Sequence, residues 1–305
     1  MGPVIGESSL RCSHGETMGG EMSGTLLTPR TIGEAVAARR DHPRAQVIAG
    51  GTDIVADLNR GVPATGLVSL RAVAELRGVD LRDGQWRLGA MATVADVRAN
   101  AELASAATAL GQATRSLGSR QVRNRATVGG NICGGGPHRT LVPVLLAHDA
   151  TVDMVGREGP RSVALADVLA PEGTCPVADE ILTAVRFTPS TGPQLFYRVG
   201  PRNAVCYATA SVTLVLDEPT HSVRLALGGV APTAVRAPAA EAIGYEGVDW
   251  ESRTVADDVA AAFGAAAAQA ADPVSDFVAS ADYRRHAVEV MARRALRHIF
   301  EGDRA

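Results

Sequence analysis

The run Val47-Ile-Ala-Gly-Gly-Thr-Asp-Ile54 carries a short apolar segment directly into a pair of glycines followed by small polar residues. A second run, Thr127-Val-Gly-Gly-Asn-Ile132, repeats this design later in the chain. Glycine lets the backbone turn through positive φ and lets a ligand approach the N–H groups without a Cβ in the way. Successive N–H groups then form a concavity that binds anions. The two runs therefore predict two loops that clamp one pyrophosphate group from either side.

Each loop also has a plainer interpretation. A Gly-Gly pair is more often an ordinary turn, so one loop alone is a weak signal of a binding site. Neither run has the Gly-x-Gly-x-x-Gly spacing that opens the first helix of a Rossmann dinucleotide fold, which excludes that fold here. Two such loops, each predicted to leave an apolar strand, favour a shared phosphate ligand over two unrelated turns.

The composition bounds the class of protein. The 305 residues exceed one domain of roughly 100–200 residues, so we expect two domains. Hydrophobic residues make up 46% of the chain, yet no stretch of about 18 apolar residues is present, so we expect a sizeable core and no membrane span. The formal charge of −3 argues against a nucleic-acid-binding surface. All 30 basic residues are Arg, which excludes a Walker-type phosphate loop and a Schiff-base enzyme because both need Lys.

The four cysteines, Cys12, Cys133, Cys175 and Cys206, have spacings that fit neither a zinc site nor an iron–sulfur cluster held by this chain alone. Scattered thiols are typical of a reducing compartment, so we predict a cytoplasmic protein without a metal of its own. Residues 1–24 are rich in Gly, Ser and Met and lack an apolar segment. We expect a disordered or weakly ordered tail there, and no secretory signal.

The order of predicted elements indicates an α+β protein with a domain boundary near residues 188–194. Thr31 with Glu34, and Thr93 with Asp96, have the spacing of helix-capping residues and predict helices that begin at the two threonines. Further helices are predicted at residues 102–117, 141–147, 254–271 and 281–300. Strands are predicted at residues 46–49, 67–70, 86–90, 151–155 and 181–187, and an antiparallel sheet is predicted from 196–199, 207–217 and 223–229.

Four runs stand out in order along the chain: Val47-Ile-Ala-Gly-Gly-Thr-Asp-Ile54, Gln121-Val-Arg-Asn-Arg-Ala-Thr-Val-Gly-Gly-Asn-Ile132, Gly228-Gly-Val-Ala-Pro-Thr-Ala-Val-Arg236 and Asp282-Tyr-Arg-Arg-His286. Together they resemble the FAD-binding medium subunit of the molybdenum hydroxylase family, which includes xanthine dehydrogenase-like, carbon monoxide dehydrogenase-like and aldehyde oxidoreductase-like enzymes. The resemblance implies a vanillyl-alcohol-oxidase (p-cresol methylhydroxylase) type FAD-binding domain at residues 25–190, with FAD between subdomains at about 25–78 and 79–190. Residues 191–305 would then form a C-terminal domain with an antiparallel sheet and helices.

The resemblance also implies FAD contacts by position. The two loops would bind the pyrophosphate through Val47, Ile48, Ala49, Gly50, Gly51, Thr52, Asp53 and Ile54 on one side and through Thr127, Val128, Gly129, Gly130 and Asn131 on the other. Leu117 and Leu182 would make apolar contacts, Arg198 a basic contact, and Tyr207 would lie beside the isoalloxazine. The alternatives are that both leucines are core residues, Arg198 a surface residue and Tyr207 an aromatic of the sheet.

The chain departs from the family pattern at two positions. Many members have Ser-Pro-x-x-Asp after the second loop, with the Asp near the FAD ribose, whereas this chain has Gly136-Pro-His-Arg-Thr140. Thr140 therefore offers one hydroxyl where a carboxylate is common, and Cys206 stands where many members have Asp. His138 is a candidate proton donor, but we expect it to be a solvent-facing loop residue and assign no catalytic residue to this chain.

The resemblance implies an electron-transfer flavoprotein subunit of an oxidoreductase. A molybdopterin-binding large subunit would hydroxylate the substrate, and a [2Fe–2S] small subunit would pass the electrons to FAD on this chain, from which NAD, oxygen or another acceptor takes them. The expected assembly is a dimer of heterotrimers. Two alternatives stay open: a stand-alone FAD-dependent oxidase of the same fold, and a scaffold subunit that has lost FAD.

Overall fold

The computed structural model describes residues 24–169, 180–202 and 206–300. The predicted tail, apart from its last residue, lies outside the described residues, as do Cys12 and Cys175. Within the described ranges, no helix is long and apolar enough to cross a membrane. Three larger sheets and one two-stranded sheet follow one another along the described chain, and the candidate site lies between the first and second of these units.

The first sheet is parallel, which brings the carboxyl ends of its three strands to one edge. Its elements in chain order are β1 (Thr25–Leu27), α1 (Ile32–Asp41), β2 (Gln46–Ile48), α2 (Ile54–Asn59) and β3 (Gly66–Ser69), followed by 3-10 turns at Leu70–Ala72 and Ala74–Leu76. β3 lies between β1 and β2. Helix α1 begins at the predicted residue, because the Thr31 hydroxyl accepts a hydrogen bond from the Glu34 N–H at 3.1 Å.

The second sheet is antiparallel and packs against a layer of short helices. The elements of this unit are β4 (Val79–Arg82), β5 (Gln85–Gly89), α3 (Val94–Ala99), α4 (Ala101–Ala106), α5 (Thr108–Ser116), α6 (Arg120–Arg123), α7 (Val128–Cys133), α8 (Leu141–Ala147), β6 (Thr151–Gly156), β7 (Gly159–Ala164), α9 (Leu165–Val168) and β8 (Ile181–Phe187). The strand order is β4-β5-β8-β6-β7. Trp86 on β5 and Leu145 on α8 are both buried in the core that joins the two layers.

The third sheet is the predicted antiparallel one, with helices packed against it. Its unit contains β9 (Gln194–Val199), β10 (Ala210–Asp217), β11 (Ser222–Gly228), β12 (Val235–Arg236), α10 (Pro238–Gly247), β13 (Val248–Asp249), β14 (Thr254–Val255), α11 (Asp257–Gln269) and α12 (Ala281–His298). The sheet has the order β12-β11-β10-β9, and β13 pairs with β14. Phe263 on α11 and Val288 on α12 are fully buried between the helices and the sheet, and α12 lies where the sequence predicts a helix at residues 281–300.

Two of the differences from the sequence predictions concern helices. The predicted helix at residues 102–117 is divided, because Ala107 has φ −127° and ψ 71°, outside the helical region, and separates α4 from α5. Helix α10 was not predicted. Its signal was present in the sequence, since Pro238 occupies the first turn, where proline is favoured.

Candidate functional site

The first glycine loop, residues 49–53, connects β2 to α2 at the carboxyl edge of the parallel sheet. Gly51 has a φ of +78°, a conformation that residues with a side chain rarely adopt. Gly50 is needed for a different reason, because a Cβ at this position would lie 1.9 Å from the Arg125 carbonyl oxygen. Residues 47–54 are all half-buried, so one side of the loop stays accessible to a ligand.

The second glycine loop is the first turn of α7, and the predictions of a preceding strand and of positive φ are wrong for it. The Thr127 hydroxyl caps this helix by accepting a hydrogen bond from the Gly130 N–H at 3.0 Å. In place of a strand, Thr127 forms one bridge with Thr93. Gly129 serves close packing, since a Cβ there would lie 2.9 Å from the Ala90 Cβ.

An ion pair fastens the first loop to the segment that follows the second. Arg139 Nη1 donates to the Asp53 carboxylate at 2.5 Å, and Nη2 donates to the Gly134 carbonyl at 2.8 Å. Arg139 Nε donates to the Gly135 carbonyl as well. The two loops therefore lie next to each other at the boundary between the first and second sheets. Sequence reasoning missed Arg139, whose signal is the neighbouring glycine run that exposes backbone carbonyls to a guanidinium.

The side chain of Asn131, on α7, reaches the start of α8, where Thr140 lies. The Asn131 Oδ1 accepts a hydrogen bond from the Leu141 N–H at 3.0 Å, which leaves the amide NH₂ of Asn131 as a donor. Thr140 is half-buried, and its hydroxyl makes no capping bond to its own helix. Both side chains keep a group that can bind a ligand.

Leu117 and Leu182 belong to the hydrophobic core of the second unit, with exposures of 8% and 6%. Leu117 ends α5, and Leu182 lies opposite Met154 in the sheet. The structure therefore supports the core interpretation of both residues. That these leucines contact FAD stays a prediction. Such a contact would involve only the small part of each side chain that is accessible.

Arg198 is half-buried, and two hydrogen bonds hold its guanidinium. Its Nη1 donates to the Ser116 carbonyl at 2.9 Å, one residue before Leu117. Its Nη2 donates to the Cys206 sulfur at 3.1 Å. The Cys206 thiol is thus an acceptor for Arg198, and among the residues that the structure describes no carboxylate pairs with this guanidinium.

Tyr207 precedes β10 and is 69% exposed, so it is not an aromatic of the sheet. Its ring lies 5.8 Å from the ring of His138. His138 is half-buried, with Nδ1 hydrogen-bonded to the Ala208 carbonyl at 3.0 Å, which contradicts the expectation of a solvent-facing histidine. Burial lowers the pKa of His138 below its ordinary value, so the ring is neutral near pH 7.

A buried arginine holds the strand ends beside Tyr207. Arg284 is 2% exposed and donates from Nη1 to the carbonyls of Thr209, at 2.6 Å, and Gly229, at 2.9 Å. Its Nη2 donates to Asp276 at 2.7 Å. Arg284 comes from one of the four runs that carry the family resemblance, but its bracing role was not predicted.

These residues fit a dinucleotide such as FAD. A Cβ added at Gly130 would meet only Thr127 Oγ1 within 4 Å, so the bare backbone of α7 leaves room for a phosphate group. On the facing loop, Gly51 permits the positive φ that shapes the turn. The N–H groups of Gly50 and Gly51, the Thr52 and Thr140 hydroxyls and the Asn131 amide are donors of the kind that bind a diphosphate and a ribose.

Comparison with known proteins agrees with this arrangement. Residues 20–190 match the family described as the FAD binding domain in molybdopterin dehydrogenase. Residues 196–299 match the CO dehydrogenase flavoprotein C-terminal domain. The two matches follow each other along the chain and meet between β8 and β9.

Individual relatives are similar over nearly their whole length. The chain is 28% identical over 281 residues to the xanthine dehydrogenase FAD-binding subunit of Escherichia coli O157:H7, covering 87% of this chain and 92% of that protein. It is 28% identical over 278 residues to the carbon monoxide dehydrogenase medium chain of Hydrogenophaga pseudoflava, covering 88% and 94%. A solved structure of carbon monoxide dehydrogenase from H. pseudoflava superposes with a TM-score of 0.83 at 25% identity, over 92% of this chain and 97% of that chain.

Proposed function

The chain belongs to the family of FAD-binding domains of molybdopterin dehydrogenases, and we propose that it passes electrons from the iron–sulfur clusters of a partner subunit to a final acceptor. FAD is its cofactor, and the enzyme of which it forms a subunit is an oxidoreductase. The observation that carries the proposal is the approach of the two glycine runs: Gly50 lies against the Arg125 carbonyl, two residues before Thr127, and Arg139, which follows the second run, pairs with Asp53.

The chain's own residues bind and orient the cofactor. The N–H groups of Gly51 and Thr52 would donate to the diphosphate, and Gly130, which has no side chain, would leave room for it at the start of α7. Arg198 would hold a fixed positive charge at the cofactor, since Ser116 and Cys206 brace its guanidinium. Tyr207 would cover one face of the ring system. Bound FAD supplies the ability to take up and release electrons one or two at a time.

The finer part of the proposal concerns the partners. The proposed partners are a molybdopterin-binding large subunit and a [2Fe–2S] small subunit. The three chains would assemble as a dimer of heterotrimers in the cytoplasm, and NAD, oxygen or another molecule would accept the electrons. The relatives that are named medium chain or FAD-binding subunit support a role inside a larger assembly. The division into an FAD-binding domain at 25–190 and a C-terminal domain at 191–305 belongs to the same proposal.

Purification of the full chain, alone and from extracts that contain its partners, tests this function. The chain alone should show the visible absorbance of flavin, and acid denaturation should release FAD in a ratio of about one per chain, because no covalent attachment is expected. Affinity capture should recover a molybdopterin protein. A colourless, fully folded chain would favour the scaffold alternative, and a yellow chain that captures no molybdopterin protein would favour the stand-alone oxidase.

A further inference from the structure

Residues 137–139, which follow the second glycine loop, each bond to a different and distant part of the chain. The three bonds join the Pro137 carbonyl to the Gly229 N–H at 2.9 Å, His138 Nδ1 to the Ala208 carbonyl at 3.0 Å, and the Arg139 guanidinium to the Asp53 carboxylate at 2.5 Å. Two of the partners belong to the matched C-terminal domain, and the third belongs to the first glycine loop. This segment therefore fixes three parts of the candidate site relative to one another.

Tyr207 presents an exposed ring beside one of these bonds. Within the described ranges its hydroxyl makes no hydrogen bond, and the one ring in contact with it is that of His138, with 5.8 Å between the centroids and 35° between the planes. Two residues further on, the Thr209 carbonyl accepts a hydrogen bond from the buried Arg284, which fixes the backbone just before β10. The orientation of the Tyr207 ring therefore depends on His138 more than on any other described side chain.

The contact with Ala208 determines which nitrogen of His138 carries a proton. A carbonyl oxygen only accepts hydrogen bonds, so Nδ1 is the donor and Nε2 of the neutral ring is an acceptor. Because Ala208 directly follows Tyr207, one imidazole both holds the backbone beside Tyr207 and contacts its ring. His138 can thus orient this tyrosine through two contacts at once.

We propose that His138 is a positioning residue that holds the Tyr207 ring against the isoalloxazine of FAD. The inference rests on the proposed function, in which Tyr207 covers one face of the ring system. The neighbouring Arg139 holds the loop assigned to the diphosphate, so adjacent residues set the cover over the ring and the frame around the diphosphate. His138 acts through Tyr207 in this role and needs no contact with the reacting atoms.

The groups around His138 make its position sensitive to acid. Burial disfavours a charged imidazole most, Arg284 and Arg139 disfavour it further, and Asp276 favours it. The pKa of His138 is lowered as a result, so the neutral ring predominates near pH 7. A lowered pKa in the held position means that protonation favours release of the ring from that position. Tyr207 would then lose its support, and flavin fluorescence should rise on acidification.

Substitutions at His138 separate its hydrogen bond from its ring. His138→Asn keeps an N–H donor close to the position of Nδ1 but removes the ring and its titration. His138→Phe keeps a ring but removes the donor. Both are made in the full chain, alone and together with Tyr207→Ala. His286→Asn is the matched control, because His286 is an exposed histidine on α12. Circular dichroism and FAD content are measured for every variant.

Time-resolved flavin fluorescence measures the ratio of quenched to unquenched flavin in each chain. His138→Phe should lower this ratio about fivefold, which is the effect of losing one ordinary hydrogen bond. His138→Asn should lose less near pH 7. Quenching in the wild type should decrease as the pH falls below about 6.5, whereas His138→Asn should show no such change. Combined with Tyr207→Ala, neither substitution should alter the fluorescence further, because His138 acts through that ring.

Hydrogen exchange provides a readout that does not depend on the cofactor. In chains washed free of FAD, His138→Phe should speed amide exchange several-fold at residues 206–209, because the backbone there loses a hydrogen bond. Exchange in α11, which lies outside this contact, should stay unchanged. His286→Asn should exchange as the wild type does in both segments.

The inference is overturned if a folded, FAD-containing His138→Phe chain keeps the fluorescence ratio of the wild type. It is also overturned if the substitutions act equally when Tyr207 is alanine, or if they lower only the melting temperature, which would indicate a purely structural role. If His138→Phe loses FAD, the pH profile of His138→Asn and the exchange at residues 206–209 decide. A wild type without FAD contradicts the proposed function and this role with it, whereas a wild type with FAD beside unresponsive variants contradicts the role of His138 alone.

Discussion

The Arg139 guanidinium donates to the Asp53 carboxylate over 2.5 Å, and this one contact joins the two segments that frame the candidate diphosphate site. Arg139 is the more buried partner, with a side-chain exposure of 22% against 40% for Asp53. Two further N–H groups of this guanidinium donate to the Gly134 and Gly135 carbonyls, so it cannot turn away without losing three hydrogen bonds. The first loop is therefore fixed from the side of the second.

Asp53→Asn should loosen the first loop and weaken FAD binding. The substitution removes a charge-assisted hydrogen bond worth about 1 kcal/mol at a partly exposed site, which is about a fivefold loss of affinity. Asp57→Asn is the matched control, because Asp57 pairs with Arg60 on the exposed side of α2. Titration of released FAD back into each variant measures the effect. Equal FAD affinity in both variants would show that the ion pair does not contribute to FAD binding.

Gly51→Val should abolish FAD binding while the chain still folds. The valine is strained at a φ of +78°, and its Cβ would lie 3.4 Å from Val55 Cγ2 and 3.5 Å from Ile48 Cδ1, so the loop backbone would have to move. Gly61→Val shares the strain, with a φ of +84°, but has no atom within 4 Å of the added Cβ and lies outside the loop. Both variants should lose about 1–2 kcal/mol of stability, and only Gly51→Val should lose flavin absorbance. Loss of flavin from both would mean that strain alone empties the site.

Gly130→Val tests the second loop separately. The residue is in the first turn of α7 without positive φ, so the valine places its side chain in the phosphate space with little backbone strain. FAD content should therefore fall steeply while the melting temperature changes little. A normal FAD stoichiometry in this variant would exclude the second loop from the binding site.

Tyr207→Ala should raise flavin fluorescence and change the rate at which the acceptor reoxidises the flavin. The ring is 69% exposed, so its removal costs little stability, and loss of a stacked ring should reduce FAD affinity by roughly tenfold. Reduction through the iron–sulfur partner should change much less. Tyr245→Ala, an exposed tyrosine on α10, is the control. Unchanged fluorescence and reoxidation at full FAD occupancy would place Tyr207 away from the ring system.

Acid should destabilise the folded chain through His148. Burial lowers the pKa of this histidine in the folded state, while Nδ1 bonds to the Val144 carbonyl at 2.9 Å. The unfolded chain therefore binds the extra proton first, and the free energy of unfolding falls as the pH drops below about 6.5. The slope is at most about 1.4 kcal/mol per pH unit for each such histidine.

Thermal melting between about pH 5 and pH 7.5 measures this slope. His148→Gln should lower stability near neutrality but make the melting temperature less sensitive to pH. His286→Gln, on the exposed side of α12, should follow the wild-type curve. A His148→Gln curve parallel to the wild type would contradict the assignment.

The sequence predicted the elements that depend on local signals. Capping threonines at Thr31 and Thr93 start α1 and α3 as expected, and the alternating apolar residues of β10 and β11 lie in an antiparallel sheet. The second glycine loop could not be predicted in the same way. Gly129 packs so closely against Ala90 that a side chain would not fit there. Ala90 lies in a distant part of the chain, and no local sequence pattern indicates such a contact.

The residues of the candidate site differ in the same way: those with local partners could be predicted from the sequence, and those with distant partners could not. The first glycine loop could be predicted because its turn depends on local residues, whereas Arg139, Arg198 and Arg284 each bond to a residue far along the chain. Their guanidinium groups bond mainly to backbone carbonyls, which every residue possesses. No residue type in the sequence therefore marks the position of the partner.

The contact between Gly50 and the Arg125 carbonyl also bears on the order of folding. It joins segments that are far apart in sequence, and closing a long chain segment costs more entropy than closing a local turn. The parallel strands and the second sheet must dock before this contact exists, so the complete cofactor-binding surface is a late product of folding. A ligand that binds only the docked form stabilises it by mass action. The yield of folded chain during synthesis should therefore rise with the supply of FAD.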